Sequence, residues 1–268
     1  MAHIQCNFFS QALQKNANVI IYLPTQDADD YLFGTGNAKY GRSRVYKTLY
    51  LLHGSYGDYM DWTRLANADR YAQEHDIAVV MPSAENSKYL NMYLGENYMD
   101  YIGKELPEFL GTIFPLSDKR ENTYIAGLSM GGYGAMKLAL THPERFAAAA
   151  SFSGAVDVAA DVDSKTGERL EGFRRVFGDP AGIRGSDNDL FHLLERNADA
   201  PHKPRLYVCC GTADFLYDHH LRFIPALEKH GWDVTRYEEP DTGHEWRFWD
   251  ERIRFFIPWA LDGRKDEN

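Results

Sequence analysis

The chain has 268 residues, 44% hydrophobic and 25% charged, the composition of a globular protein that buries a core in one domain without disulfides or structural metals. Its 39 acidic and 29 basic side chains leave a net charge of −10 with His neutral. That balance disfavours nucleic acid, whose phosphates attract Lys and Arg, and gives no reason to expect an anionic membrane surface as partner.

The N-terminus, MAHIQCNFFSQALQ, has neither a basic start nor an apolar core of signal-peptide length. The uncharged stretch 146–156 is broken by Ser and Gly and falls short of the roughly 18 to 20 apolar residues that span a bilayer. Cys6, Cys209 and Cys210 are odd in number and lack zinc-ligand spacing, which points to a reducing, cytoplasmic compartment.

Strands are predicted over 19–23, 45–52, 77–81, 123–126, 147–152, 206–210 and 234–238, several of them the continuous apolar runs of parallel strands covered on both faces. Helices are predicted over 61–75, 98–114, 132–141, 221–230 and 245–261. In the second of these, Tyr98, Tyr101, Ile102, Phe109, Leu110 and Ile113 recur with helical spacing and define a buried face. The alternation implies an α/β fold with a mostly parallel sheet and helices on both faces. The first strand or two, ahead of the alternation, are expected to pair antiparallel at an edge. Residues 155–204 break the rhythm: they are rich in Asp and Gly and carry a short helical pattern only near 190–194. They read as a small cap over the top of the sheet within a single domain of 1–268.

Nucleotide-binding motifs are absent or broken. The segment from Gly36 to Ser43 nearly matches a P-loop, but Arg42 replaces the lysine and the segment precedes a strand instead of linking strand to helix. Gly34-Thr35-Gly36 lacks the third glycine of a dinucleotide fingerprint, and no His-Glu-x-x-His or Cys-x-x-Cys argues for a catalytic metal. No cofactor is expected.

The most informative segment runs Thr123-Tyr-Ile-Ala-Gly127-Leu-Ser129-Met130-Gly131-Gly132-Tyr133-Gly134, a strand entering G-x-S-x-G and then a helix. That context marks Ser129 as a nucleophile held in a sharp, strained turn above the sheet. Side chains at Gly127 and Gly131 would collide with neighbouring backbone, and the following helix points N–H groups at an oxyanion. Ser153, in Phe-Ser-Gly at the end of an apolar strand, reads as structural; Ser10, Ser43, Ser117 and Ser186 read as turn or cap residues.

The acid and base should follow on later strands. Asp214 sits at the tip of the loop after 206–210. Asp218 is the reserve candidate, but it lies where the next helix should begin and reads more simply as an N-cap. His244 follows the strand 234–238 and a turn, whereas His219 and His220 lie too close to Asp214 and His230 reads as a helix C-cap before Gly231. Ser129 would attack an ester carbonyl, His244 would move its proton to the leaving alcohol, and Asp214 would hold the imidazole. Activity should then rise as pH passes the histidine's titration, near about 6.5 for an unperturbed imidazole.

Tyr50-Leu-Leu-His53-Gly54-Ser55-Tyr56-Gly57 is a strand ending in a glycine-flanked loop, which assigns the oxyanion donors to the N–H groups of Ser55 and Met130. Aromatic residues on the same loops are candidates for a pocket wall, with Trp62, Trp246 and Phe215 chosen as substrate-binding.

HGSYGDYMDW, GLSMGGYGAMKLAL, CGTADFLY and GHEWRFWD together resemble the esterase D-like branch of the α/β-hydrolases, most closely bacterial tributyrin or acetyl esterases and their feruloyl-esterase relatives, over about residues 9–256. The resemblance implies a cofactor-free serine carboxylesterase acting on short acyl or hydroxycinnamoyl esters, often a homo-oligomer, with the same Ser129, Asp214, His244 and oxyanion donors. S-formylglutathione hydrolases of this branch usually carry Gly-His-Gly where this chain has Gly132-Tyr133-Gly134, so thioesters come second. A hydrolase-fold binding protein without catalysis is the rival outside enzymes, and the complete set of three candidate residues argues against it.

Overall fold

A computed structural model describes residues 1–34, 44–162 and 165–262. The P-loop-like segment 36–43 and Asp163 lie outside the described residues. One eight-stranded sheet carries the fold: β1 (Ala2–Ser10), β2 (Lys15–Leu23), β3 (Thr48–Leu52), β4 (Ala78–Pro82), β5 (Thr123–Leu128), β6 (Ala148–Phe152), β7 (Arg205–Gly211) and β8 (Val234–Glu239). Their spatial order is β1-β2-β4-β3-β5-β6-β7-β8. β3 to β8 pair in parallel, and β1 and β2 form an antiparallel hairpin at one edge, with β2 antiparallel to β4.

β3, β4 and β6 are buried along their whole length, as parallel strands roofed on both faces must be. Alternate residues feed two cores: Tyr50, Leu52 and Ile125 join Met136 and Leu138 on one face, while Leu49, Tyr124 and Phe152 join Phe248 and Phe256 on the other. β1 was not predicted. It alternates half-buried and exposed positions along its length, and its Cys and Asn residues dilute the β-branched signal. The predicted strand 45–52 starts at Thr48 instead, because Val45 is 62% exposed.

Two predicted helices are interrupted, each by a tertiary contact or a proline. The helix expected over 61–75 divides into Asp61–Leu65 and Ala68–Glu74. At the break, the Asp250 carboxylate accepts hydrogen bonds from the backbone N–H and side-chain amide of Asn67, at 2.7 and 3.0 Å. The helix over 98–114 contains a π-turn at Tyr101–Glu105 just before Pro107, where Leu106 N–H donates to Tyr101 O.

The insertion holds more structure than its sequence announces. A helix spans Gly167–Phe177 and another Leu190–Arg196. The first part of the insertion bonds the loop after β4 through Tyr93 N–H to Val176 O (3.0 Å) and Leu94 N–H to Arg175 O (2.8 Å). Leu190, Leu193 and Leu194 are buried in the same core as the sheet. Their helix packs against Met130–Thr141 and Tyr217–Lys229, so this half belongs to the helical layer and not above the sheet.

Candidate active site

The loops after β3, β5, β6, β7 and β8 emerge at one end of the parallel sheet. Ser129 lies between β5 and the helix Met130–Thr141 with φ 51 and ψ −115, a left-handed conformation that costs a serine on the order of 1 to 3 kcal/mol. The surroundings enforce it. A Cβ on Gly127 would come within 2.4 Å of Gly131 backbone, and one on Gly131 within 2.5 Å of Leu52 O, so only glycines let the turn close onto β3. Ser129 N–H donates to Phe152 O at 2.9 Å, and Ser129 O accepts from Ala155 N–H at 3.1 Å.

The neighbouring loop begins at His53, which is 1% exposed. Its Nε2 accepts from Ala84 N–H at 2.9 Å, so Nδ1–H donates to Gly54 O at 2.7 Å. Burial pulls the His53 pKa down and keeps the ring neutral, outweighing the Gly54 carbonyl and the more distant Asp61 and Asp58 charges. Tyr56 N–H is consumed by Asn86 Oδ1 at 2.8 Å. Among the described residues, the N–H groups of Ser55 and Met130 donate to no protein acceptor; Met130 follows Ser129 in the chain, and a Cβ on Gly54, the residue before Ser55, would lie 3.6 Å from the Ser129 Cβ.

Asp214 and His244 are brought together directly: His244 Nδ1–H donates to Asp214 Oδ2 at 2.8 Å. The carboxylate side chain is fully buried and the imidazole 19% exposed. The two loops are tied by Ala213 N–H to Thr242 O (3.0 Å), Thr212 N–H to Glu239 O (2.9 Å) and Asp241 N–H to Thr212 Oγ1 (3.0 Å). Burial would raise the Asp214 pKa, but His244, Leu216 N–H and the Ser153 hydroxyl hold it below the ordinary value. Asp218 lies inside the first turn of Tyr217–Lys229, whose N-cap is Leu216, so it is not the N-cap expected of it. No hydrogen bond joins the Ser129 hydroxyl to His244 among the described residues; such bonds often tighten only when substrate binds.

Of the aromatic candidates, Phe215 is 75% exposed with its ring 4.6 Å from His244. Trp62 is not a pocket wall. It is 1% exposed, and its indole N–H donates to Leu52 O at 3.0 Å, bracing the strand that carries the His53 loop. Trp246 packs edge-on between Trp62 and Trp249, at 5.1 and 5.2 Å. Trp249, not among the expected pocket residues, is the tryptophan that meets His244, at 4.8 Å and 81°. Its only signal was its spacing, three residues beyond Trp246 on one helix face.

Among the described residues no helix is long and apolar enough to cross a membrane, and no group of three or more His, Cys, Asp or Glu could hold a metal ion. The family model Esterase (Putative esterase) matches residues 10–254. The acetyl esterase of Caldicellulosiruptor saccharolyticus is 37% identical over 266 residues, covering 97% of this chain and 98% of that protein. Two Staphylococcus aureus structures are each 33% identical over 97% of this chain. The fluorophosphonate-binding serine hydrolase FphF superposes with a TM-score of 0.86 over 98% of its own chain. The S-formylglutathione hydrolase FrmB superposes with 0.82 over 99% of its chain. With a family model spanning most of its length and relatives above 30% identity end to end, the chain belongs to the Esterase family and is a serine hydrolase of carboxylic esters on the α/β-hydrolase fold.

Proposed function

We propose that the enzyme hydrolyses short-chain acyl esters through an acyl-enzyme on Ser129. The observation that carries this reading is the 2.8 Å bond between His244 Nδ1 and the buried Asp214 carboxylate. It fixes the tautomer whose Nε2 lone pair is free to accept the serine proton.

Ser129 Oγ attacks the ester carbon and gives its proton to His244 Nε2, and the carbonyl oxygen becomes an oxyanion facing the N–H groups of Ser55 and Met130. The tetrahedral intermediate collapses, the imidazolium protonates the leaving alkoxide, and the acyl group stays on Ser129. Water then loses a proton to His244, attacks the acyl carbon, and releases the acid as Ser129 recovers its hydrogen. Asp214 remains a carboxylate throughout and stabilises the imidazolium.

The exposed Phe215 ring beside His244 supports a small, partly apolar substrate at the mouth. Short acyl esters fit the likeness to the acetyl esterase, with hydroxycinnamoyl esters as the second acyl class. Thioesters of the S-formylglutathione type are the second reading, favoured by the likeness to FrmB. Against it, Tyr133 is buried and its hydroxyl is occupied by Asn188 O. Three cysteines that form no disulfide, two of them buried, suit a cytoplasmic setting.

The test compares para-nitrophenyl acetate, butyrate and octanoate, methyl ferulate and S-formylglutathione, with Ser129→Ala as control. Acetate and butyrate should turn over fastest. No Ser129-dependent hydrolysis of any short ester would sink the proposal.

A further inference from the structure

We infer that Ser153 and Trp249 are a coupled pair of positioning residues that fix the Asp214 carboxylate and the His244 ring, a conclusion that rests on the triad reading above. Ser153 is the first residue after β6. It is fully buried with φ 47, a left-handed conformation natural to glycine and unfavourable for serine. Its backbone N–H donates to Cys209 O on β7 at 2.8 Å, so the turn is pinned against the strand that leads to Asp214.

The side chain accounts for the strained residue. Ser153 Oγ accepts the Trp249 indole N–H at 3.1 Å, and the hydroxyl favours the charged forms of both the Asp214 carboxyl and the Cys210 thiol, opposing the effect of burial on each. A hydroxyl has one proton and two lone pairs. With one lone pair taken by the indole, the hydroxyl proton is left to serve the carboxylate, which has none to give.

Trp249 closes the ring of contacts. It is 4% exposed and stands edge to face with His244 at 4.8 Å. The indole therefore reaches the base through its ring and the acid through Ser153, while His244 and Asp214 bond each other. Four residues from the segments following β6, β7 and β8 hold one geometry. Asp214 Oδ1 is already tied to Leu216 N–H at 2.8 Å. The Ser153 contact adds a further tether, which opposes rotation of the carboxylate away from the imidazole.

The experiment is a double-mutant cycle on the whole enzyme with para-nitrophenyl acetate, using Ser153→Ala, Trp249→Phe and their combination. Trp249→Phe keeps a ring against His244 and removes only the N–H. Each single change should lower kcat by about tenfold, the scale on which outer supporting groups act, with KM held within about twofold. The double variant should fall little further than the worse single one, because both break one linkage. Ser153→Ala should also move the acid limb of the kcat/KM profile to higher pH, since the Asp214 carboxylate loses a donor. If Ser153→Ala folds poorly, Ser153→Gly relieves the backbone strain and should melt no lower than the parent while showing the same loss of kcat. Unchanged kcat in Ser153→Ala or Ser153→Gly, multiplicative losses, or an unmoved acid limb would each overturn the inference. Ser129→Ala separates the two readings: if it is inactive while the Ser153 variants keep full kcat, the triad stands and the positioning pair falls.

Discussion

The Tyr133 hydroxyl, one turn into the helix that begins after Ser129, donates to the backbone carbonyl of Asn188 in the insertion at 2.8 Å. One turn further, the buried Lys137 ammonium donates to Asp187 O. The helix that follows Ser129 thus carries two polar anchors for a segment that is 50 residues or more distant in sequence. Tyr133→Phe removes one anchor and leaves a half-buried carbonyl without it, a loss of about 1 to 3 kcal/mol. The expected result, by urea denaturation, is a lower midpoint with kcat on para-nitrophenyl acetate unchanged. A large fall in kcat with unchanged stability would instead place Tyr133 in the chemistry.

The loops bearing Asp214 and His244 touch at Gly211. A Cβ there would lie 2.1 Å from Thr242 O, a backbone atom that cannot step aside. Gly211→Ala should force the loops apart, costing about 1 to 3 kcal/mol of stability. It should also cost about 100-fold in kcat, as misplacement by an ångström commonly does. Stability and kinetics measured on the same preparation check this, and an alanine variant with parental kcat would contradict the tight apposition of the loops.

How far the sequence discloses this site depends on how local each determinant is. The spacing of Gly127, Ser129 and Gly131 is short-range, and the collision geometry at 2.4 and 2.5 Å is what that spacing demanded. The apolar runs of β3 to β7 are equally legible, because burial on both faces leaves little room for polar residues. The determinants that escaped detection are set by distant partners. Ser153 has the sequence setting of a structural serine, and its partner Trp249 lies 96 residues away. Trp62 and Trp249 look alike in sequence, yet one is bonded to the end of β3 and the other lies against His244. The break at Asn67 depends on Asp250, 183 residues away.

Acid sensitivity should set in near neutrality. His53, His142 and His220 are all held below the ordinary histidine value of 6.5, in each case chiefly by burial. A histidine with a lowered folded pKa binds its proton more readily when unfolded, so the unfolded state gains protons first as pH falls. Stability is then full above about 6.5 and declines from there down to each folded-state value. Asp157 and Asp214 are held below 3.8 against the opposing effect of burial, the former mainly by Arg222 and Arg184, the latter mainly by His244. Their contribution is present above that value and is lost only at lower pH. Melting temperature should therefore fall in two stages, the first starting between pH 7 and 6, with His220→Asn reducing the first stage alone. A melting temperature constant from pH 8 to 5 would rule this out.

Trp62 offers the sharpest contrast between the two ways of reading an aromatic residue. As a pocket wall it would contact substrate, and changing it would alter KM selectively among acyl lengths. Its position instead makes it a brace: the indole N–H holds Leu52 O, and the next carbonyl, His53 O, is held by the Tyr89 hydroxyl at 2.9 Å. Those two carbonyls also face Gly131, within 2.5 and 2.6 Å of where its Cβ would be, so they set the distance between the Ser55 loop and the turn bearing Ser129. Trp62→Phe retains the buried ring and removes the donor, leaving Leu52 O without it at a cost of about 1 to 3 kcal/mol. Because the change acts on the oxyanion geometry, kcat should fall by a similar factor for acetate, butyrate and octanoate esters, with little change in KM. A loss confined to one acyl length would restore Trp62 to the substrate pocket.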